Sequence, residues 1–251
     1  MEREFILKFI SQSDFEKHVL KTLNEYEEVL KSIDLKKFNS NIIDPIKLLF
    51  DKNIYSKSYE EIIALELQRQ RDKSNNNSIG YFHQDIFKYI KACEVPKSGW
   101  DIIFKGKKNS YFIELKNKHN TMNSSSSQKT FMKMQNHLLN SKNPNDICAL
   151  VEVIAKKSAN EPWIISLDRQ KQASNERLRR ISIDKFYALI TGDNLSFKKL
   201  CEQLPKTINK LLKQNSHLKL QKDSVYNELK KIDKDILTSL YKLAFNTYEG
   251  F

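Results

Sequence analysis

Three charged residues stand in two short apolar stretches of the kind that form neighbouring β-strands. Asp101 opens the first stretch, and Glu114 and Lys116 lie two residues apart in the second. Side chains alternate along a strand, so Glu114 and Lys116 share one face. If Asp101 faces the same way, its carboxylate could come close to that of Glu114, and two such groups repel each other unless a cation lies between them. Oxygen ligands supplemented by water suit Mg²⁺, and Lys116 could hold a water beside the ion.

These groups together fit the hydrolysis of a phosphodiester bond. That reaction needs an attacking water, a Lewis acid for the charge that develops at phosphorus, and help for the leaving oxygen. An acid, any residue and a lysine form a weak signal alone, because the pattern recurs at residues 34–36 and 228–230 in helical context. The pattern at 114–116 differs because it lies in an apolar strand that follows a second strand carrying an acid. The alternative is a salt bridge between Glu114 and Lys116 on a half-exposed sheet.

The positive charge of the chain is concentrated in two segments. Lys and Arg number 43 against 31 acids, which gives a net charge of +12 and a pI near 9.4. Residues 105–142 hold eight lysines and one acid, and residues 169–185 hold six basic and two acidic residues. A positive field concentrated in this way indicates a surface for phosphates. The alternative is a composition that is rich in lysine throughout.

Cysteine usage and hydropathy exclude several other classes of protein. The three cysteines are widely spaced and form no CxxC pair, so neither a disulfide framework nor a zinc site is indicated. The apolar stretch at the start is too short for a signal peptide, and no run is long enough for a membrane span. We therefore expect a cytoplasmic protein.

Apolar spacing predicts helices first, then a block of strands, then helices again. The predicted helices cover Phe15–Ile33, a start at Asp44 and Pro45, Ser58 to about Asp72 with a capping box to Glu61, Ile79–Lys91, about Ser127–Leu139, Ile183–Thr191, Phe197–Leu212 with a break or bend at Pro205, and Val225–Asn246. Residues 73–78 are predicted to form a loop. The predicted strands cover Trp100–Phe104 and Tyr111–Lys116, paired as a hairpin, then Ile147–Ala155 and Trp163–Leu167.

The order of these elements predicts an α/β fold with a mixed central sheet of about four to five strands. Helices flank the sheet, and further helices are added at both ends of the chain. We expect one domain, with an N-terminal helical part at residues 1–57, a catalytic core at 58–192 and a C-terminal helical part at 193–251.

The charged pattern resembles that of the PD-(D/E)XK nuclease superfamily, in which an acid begins one strand and acid-x-Lys lies on the next. Twelve residues separate Asp101 from the sequence Glu114-Leu115-Lys116. The proline that normally precedes the first acid is absent, since Trp100 stands there and Pro96 lies five residues before Asp101. The resemblance implies that Asp101 and Glu114 hold the metal with help from the Leu115 carbonyl, while Lys116 positions the attacking water.

Longer stretches resemble the type II restriction endonucleases that recognise GGNCC. These stretches are NIIDPIKLLFDK, RQRDKSNNNSIGYFHQDIFKYI, ELKNKHNTMNSSSSQKTF and SNERLRRISIDKFYALITG, and they are distributed over residues 41–192. The resemblance implies a restriction-endonuclease-like core, Mg²⁺ dependence, cleavage of double-stranded DNA and a homodimer on a pseudo-palindromic site. It also implies a cognate DNA methyltransferase as genetic partner.

Further residues are candidates for the metal site or for DNA contact. In many members of the superfamily an acid from the helix before the sheet joins the metal site, and Glu66 is that candidate here; the alternative is a solvated helix face. Side chains of the kind that read base edges and clamp phosphates follow the catalytic strand, and the alternative for this segment is a solvated loop. The candidates are Lys118, His119, Asn120, Asn123, Ser125, Gln128, Lys129 and Lys133.

Three arginines in the stretch SNERLRR could read the guanines of such a site, because bidentate Arg–guanine contacts are the commonest specific readout. They are Arg177, Arg179 and Arg180, and the alternatives for them are phosphate clamping without specificity or an ion pair with Glu176. Two other functions remain open for the whole chain. One is a repair or recombination nuclease of the same superfamily, and the other is a DNA-binding protein without catalysis.

Overall fold

The computed structural model describes residues 5–119, 122–167, 170–171, 173–214 and 223–245. These residues form two compact units. The first unit contains the described residues up to Thr22 together with Ile79–Gln214, and the second contains Leu23–Ser78 with the described residues after 214. The catalytic candidates on the predicted hairpin belong to the first unit. The predicted organisation as one domain with helical parts at both ends stays a prediction.

Helices and strands follow in the order that an α/β fold requires. The helices are α1 Gln12–Leu30, α2 Leu35–Asn39, α3 Pro45–Ile54, α4 Tyr59–Asp85 followed by a 3₁₀ turn Ile86–Tyr89, α5 Ser124–Asn140, α6 Ile183–Thr191, α7 Ser196–Gln214, α8 Val225–Ile232 and α9 Ile236–Ala244. The strands are β1 Cys93–Glu94, β2 Ile102–Lys105, β3 Ser110–Lys118, β4 Asp146–Ile154, β5 Asn160–Pro162, β6 Ser166–Leu167, β7 Gln170–Lys171 and β8 Leu178–Ser182.

Six of these strands form one mixed sheet in the order β1-β2-β3-β4-β8-β5. The pairs β1-β2, β2-β3 and β5-β8 are antiparallel, whereas β3-β4 and β4-β8 are parallel. A parallel connection needs a crossover, and α5 supplies it between β3 and β4. The predicted α/β class with a mixed, helix-flanked sheet is confirmed, and short edge strands make the sheet larger than predicted.

Strand β4 is the centre of the first unit and is buried on both faces. Cys148 and Leu150 pack on α5, where Phe131, Met134 and Leu138 point into the same core. Ala149 and Val151 have no exposed surface on the opposite face. An apolar strand of this kind is typical of a parallel sheet covered on both sides. Helix α5 therefore covers one face of β3 as well. That face carries Phe112 and Glu114, since alternate residues of a strand share a face.

The second unit has an apolar core of its own. Ile62, Ile63 and Leu67 of α4 pack with Leu229 and Leu240 of the last two helices, together with Ile33, Phe38, Ile43, Leu48, Val225 and Ile236. The two predicted helix starts at Asp44 and Ser58 are confirmed, whereas no helix begins at Ile79, which lies within α4. Asp44 accepts the N–H groups of Ile46 and Lys47, and Ser58 and Glu61 exchange the hydrogen bonds of a capping box.

The predicted loop at residues 73–78 is wrong, because α4 runs through it without a break. Serine and asparagine have modest helix propensity, but propensity is a weak prior that packing overrides. Apolar anchors lie on both sides of the stretch. Leu67 is buried in the second unit and Phe82 in the first, so one continuous helix contributes a buried apolar side chain to each unit.

Three other predicted elements need correction. Residues 163–165 are not a strand, and Trp163 instead fills the core beneath α5. The predicted helix 225–246 is divided into α8 and α9, because Asp235 caps a new helix with its side chain; Asn246 lies outside the described residues. Helix α7 is not broken at Pro205, since buried residues on both sides, including Leu200 and Leu211, keep its apolar face continuous. In the part of the chain that the structure describes, none of the helices combines the length and apolarity needed to cross a membrane.

Replacing Phe131 with alanine should lower the free energy of unfolding by about 3–5 kcal/mol, the usual cost of removing a buried aromatic side chain. Phe131 has no exposed surface, and its ring meets that of Trp163 with the two centroids 5.4 Å apart. Urea unfolding followed by circular dichroism measures the change. Met132→Ala is the matched control, because Met132 is 58% exposed on the same helix and should change stability by less than about 0.5 kcal/mol. Equal losses in the two variants would contradict the packing described for α5.

Candidate active site

The carboxylate of Asp101 is held against strand β3 by a backbone hydrogen bond. Leu115 donates its N–H to Asp101 Oδ2 at 2.7 Å, and the N–H of Asp101 bonds to the Ile113 carbonyl at 3.0 Å. Gln84 donates its side-chain amide to the carbonyl oxygen of Asp101 at 3.1 Å. These bonds extend the hairpin beyond the start of β2. The predicted pairing of the two acid-bearing strands is confirmed, and the Asp101 carboxylate lies beside the residue that follows Glu114.

The carboxylate of Glu114 lies between two ammonium groups. Its side chain is 13% exposed, and its Oε2 atom is 3.9 Å from Lys116 Nζ, which is an ion pair but too long for a hydrogen bond. Its other oxygen, Oε1, accepts a hydrogen bond from Lys133 Nζ. Glu114 and Lys116 therefore do share one face of β3, as their spacing predicts. Lys133, which the sequence assigns to DNA contact, reaches Glu114 from α5.

The ammonium group of Lys133 has two further partners. It bonds to the carbonyl of Gly99, and it lies 4.3 Å from the centre of the Trp100 ring. His137, one turn further along α5, packs edge-on against the same ring at 5.2 Å. Burial lowers the pKa of His137, so this ring is neutral near pH 7 and adds no positive charge beside Lys133.

The oxygen donors at this position fit a hard divalent cation. Asp101 and Glu114 supply carboxylate oxygens, and the Leu115 carbonyl lies on the backbone between Glu114 and Lys116. Within the described ranges no cluster of three or more His, Cys, Asp or Glu side chains is arranged to hold a metal. The protein would therefore supply few ligands and water the remainder, which suits Mg²⁺, an ion that usually keeps several waters. Zinc, which prefers four nitrogen or sulfur ligands, would fit poorly.

A second charged cluster surrounds Glu152 on β4. Glu152 is 2% exposed; its Oε2 atom lies 3.0 Å from His119 Nδ1, and its Oε1 atom accepts a hydrogen bond from Arg180. The sheet register pairs Glu152 with Lys116 on one side, and parallel partners point to the same face. The buried carboxylate thus lies one strand away from the candidate catalytic lysine. The sequence analysis missed Glu152, although an acid inside the apolar run ICALVEVIA is the same signal that identified Glu114.

The remaining candidates after the catalytic strand lie on or near the start of α5. Asn123 caps this helix by accepting the N–H of Ser126 at 2.8 Å, and Gln128 donates to the carbonyl of Ser166 at 3.3 Å. Exposed side chains belong to Lys118 at the end of β3 and to Ser125 and Lys129 on α5. Asn120 lies outside the described residues. A role for these residues in DNA contact stays a prediction.

The three arginines differ in how they are held. Arg179 binds Glu176 at 2.5 Å and donates to the Asn160 side chain at 2.9 Å, so the alternative of an ion pair with Glu176 describes the geometry of Arg179. Arg180 is held by Glu152, and Arg177 donates to the Pro144 carbonyl at 3.4 Å. The sheet register pairs Arg180 of β8 with Leu150 of β4, and Leu150 with Glu114 of β3, so these three residues lie in one row across the sheet.

Glu66 lies on α4 in the second unit and is 5% exposed. Its carboxylate accepts hydrogen bonds from Arg69 Nε at 2.7 Å and from Gln70 at 3.2 Å. The bond to Glu66 raises the pKa of Arg69. The alternative of a solvated helix face is wrong for Glu66, because the side chain is buried and paired. Its role as a third metal ligand stays a prediction.

Comparison with known proteins gives consistent results over most of the chain. The model of the Eco47II restriction endonuclease family matches residues 7–213. The type II restriction enzyme Sau96I of Staphylococcus aureus is 35% identical over 206 residues, which cover 79% of this chain and 78% of the relative. The type II restriction enzyme Eco47II of Escherichia coli is 30% identical over 220 residues, which cover 82% of this chain and 88% of the relative. The matched range contains both strands of the hairpin and every residue placed at the site above, so the chain belongs to the Eco47II restriction endonuclease family of site-specific DNA endonucleases.

Proposed function

We propose that this protein is a Mg²⁺-dependent type II restriction endonuclease that cuts both strands of DNA at GGNCC. The observation that carries the proposal is the Asp101 carboxylate, bonded to the Leu115 amide directly beside Glu114 and Lys116. GGNCC is supported by the four long stretches that resemble enzymes of that specificity and by the relatives named as type II restriction enzymes. A cytoplasmic location and a cognate methyltransferase belong to the same proposal.

Each site residue has a distinct part in this reaction. Asp101, Glu114 and the Leu115 carbonyl hold the metal, which supplies Lewis acidity to the scissile phosphate when it is bound. Lys116 donates a hydrogen bond to the attacking water and orients its oxygen toward phosphorus. The new bond from that oxygen forms as the bond from phosphorus to the leaving oxygen breaks; the attacking water loses a proton to solvent, and the leaving oxygen takes one from solvent. A third carboxylate from Glu66 remains part of the proposal.

The proposed DNA contacts come from the end of β3, the start of α5 and the segment that leads into β8. They are Lys118, His119, Asn120, Asn123, Ser125, Gln128, Lys129, Lys133, Arg177, Arg179 and Arg180. His119 and Arg180 are held in place by the buried Glu152, one strand from Lys116. Because their orientation is fixed within the protein, contacts from this pair would cost little ordering entropy on binding.

Digestion of phage DNA by the purified protein tests the chemistry and the specificity together. With Mg²⁺ we expect discrete fragments whose sequenced ends fall at GGNCC, and with EDTA we expect none. Glu114→Ala and Lys116→Ala should each lower cleavage by about a hundredfold or more, because they remove a metal ligand and the group that orients the water. Both variants should keep the wild-type circular dichroism spectrum and much of the DNA affinity.

Glu161→Ala is the control, since Glu161 is an exposed acid that pairs with Lys157 at 2.9 Å. Cleavage by either site variant at the wild-type rate would rule out this assignment. Cutting that follows DNA structure rather than sequence would favour a repair or recombination nuclease. Binding that is sensitive to salt but indifferent to Mg²⁺, without cleavage, would favour a DNA-binding protein in which the charges are structural.

Glu152→Ala should lower the free energy of unfolding by about 1–3 kcal/mol, because it leaves two half-buried side chains without the carboxylate that they contact. His119 and Arg180 both depend on this carboxylate. Chemical denaturation of Glu152→Ala beside Glu161→Ala measures the difference, and the exposed Glu161 should contribute less than about 0.5 kcal/mol. A Glu152→Ala protein as stable as the control would contradict the claim that the Glu152 carboxylate holds Arg180 in place.

The proposed homodimer has a surface of suitable character on α3. Ile46, Phe50 and Ile54 recur every four residues along this helix and are 52%, 66% and 74% exposed, with Ile42 and Tyr55 exposed nearby. Monomeric proteins rarely expose a contiguous apolar patch of this kind. Residues 42–61 contain three lysines and four acids, so the sequence around the patch lacks the excess of positive charge that the whole chain has. The spacing is symmetric about Phe50, so a two-fold axis there would bring Ile46 onto the partner's Ile54.

Phe50→Glu should convert the dimer to a monomer, because it places a charge at the centre of the proposed interface. Sedimentation equilibrium at micromolar concentration measures the mass of each variant. Leu139→Glu is the control, since Leu139 is 83% exposed on α5 in the first unit and should leave the wild-type mass unchanged. A wild-type protein that stays monomeric, or a Phe50→Glu protein that stays dimeric, would contradict this surface.

A further inference from the structure

The ammonium group of Lys133 makes three contacts, although 40% of the side chain is exposed. Oε1 of Glu114 and the Gly99 carbonyl both accept hydrogen bonds from Nζ, and the Trp100 ring lies 4.3 Å below it. The helix that carries Lys133 is anchored by Phe131 and Met134, which have no exposed surface. An ammonium with a carboxylate, a carbonyl and an aromatic face around it is held by charge, hydrogen bonding and the ring quadrupole.

This position links the two halves of the candidate metal site. Gly99 and Trp100 directly precede Asp101 on one side of the hairpin, and Glu114 lies on the other. One ammonium group therefore joins the segment that carries the first carboxylate to the strand that carries the second. It also compensates the negative charge where two carboxylates come together. Lys116 cannot do the same, because its Nζ is 3.9 Å from Glu114 and extends from the same strand.

A metal ion held by Glu114 would compete with this arrangement. The ion and the ammonium group are both positive and both draw on the one carboxylate, so each lowers the affinity of the site for the other. We propose that Lys133 is a positioning residue that holds Glu114 in place before the metal binds and competes with the metal for the carboxylate. Binding of the metal then displaces Lys133 from Glu114. This inference rests on the proposed function, since it assumes that Asp101 and Glu114 form a metal site.

Calorimetric titration of the purified protein with Mn²⁺ in the absence of DNA tests the inference without any cleavage assay. Lys133→Met retains an unbranched side chain but removes the charge. Its Mn²⁺ affinity should therefore rise by about fivefold or more, the lower end of typical coupling between sites. Lys133→Gln should behave in the same way and serves if the methionine variant folds poorly. Lys133→Arg keeps a cation beside Glu114 and should remain near the wild-type affinity.

Two controls separate failure of this inference from failure of the proposed function. Lys142→Met removes an exposed lysine just beyond the end of the same helix and should leave Mn²⁺ affinity unchanged. Asp101→Asn should weaken Mn²⁺ binding strongly if the metal site is correct. If wild-type protein and Lys133→Met both fail to bind Mn²⁺, the metal site and the inference fall together.

If Asp101→Asn loses Mn²⁺ binding while Lys133→Met binds no more tightly than wild type, only the inference is overturned. A purely DNA-contacting Lys133 would give that second result, with DNA affinity in EDTA lowered and Mn²⁺ affinity unchanged. Fluorescence anisotropy with a labelled duplex containing GGNCC measures the DNA affinity of the same protein samples.

Discussion

The carboxylate of Glu114 is largely removed from water and therefore requires positive charge beside it. With 13% of its side chain exposed, solvent cannot compensate its charge as it would on an open surface. The alternation of β3 puts Lys116 on the same face, and α5 crosses that face with Lys133. The helix lies there because β3 and β4 are parallel, and a parallel pair needs a crossover between them. The topology of the sheet thus determines which charged side chains lie beside Glu114.

The parts of this arrangement that depend on neighbours in sequence could be predicted from the sequence. The hairpin, the cap at Asp44 and the capping box at Ser58 are set by residues within a few positions of each other. The candidate site acids were selected for the same reason, because a charge inside an apolar strand stands out against its own surroundings. The extent of α4 could not be found in this way. Its middle is polar and gains its structure from packing at Leu67 and Phe82 on either side.

Pairings between distant elements could not be predicted. Arg180 and His119 both meet Glu152, which is on a different strand, and Lys133 meets Glu114 from a helix. The sequence analysis treats each of these three side chains as a candidate for DNA contact, with an ion pair to Glu176 as one alternative for Arg180. Glu152 itself carried a usable signal, because it interrupts an apolar run as Glu114 does. A rule that examined every acid in a buried strand would have found both carboxylates, but not the distant side chains that contact them.

The pairings change what the net charge of +12 means for DNA binding. Lys133, Arg179 and Arg180 all belong to the two basic segments, yet each is matched by an acid within the fold. A matched cation adds little to the long-range field that attracts a polyanion, but it is held in a defined place. Exposed lysines such as Lys107, Lys108 and Lys129 contribute the field. The proposed function thus assigns affinity for the phosphate backbone and precise contact near the scissile bond to different sets of residues, a division that is typical of specific DNA recognition.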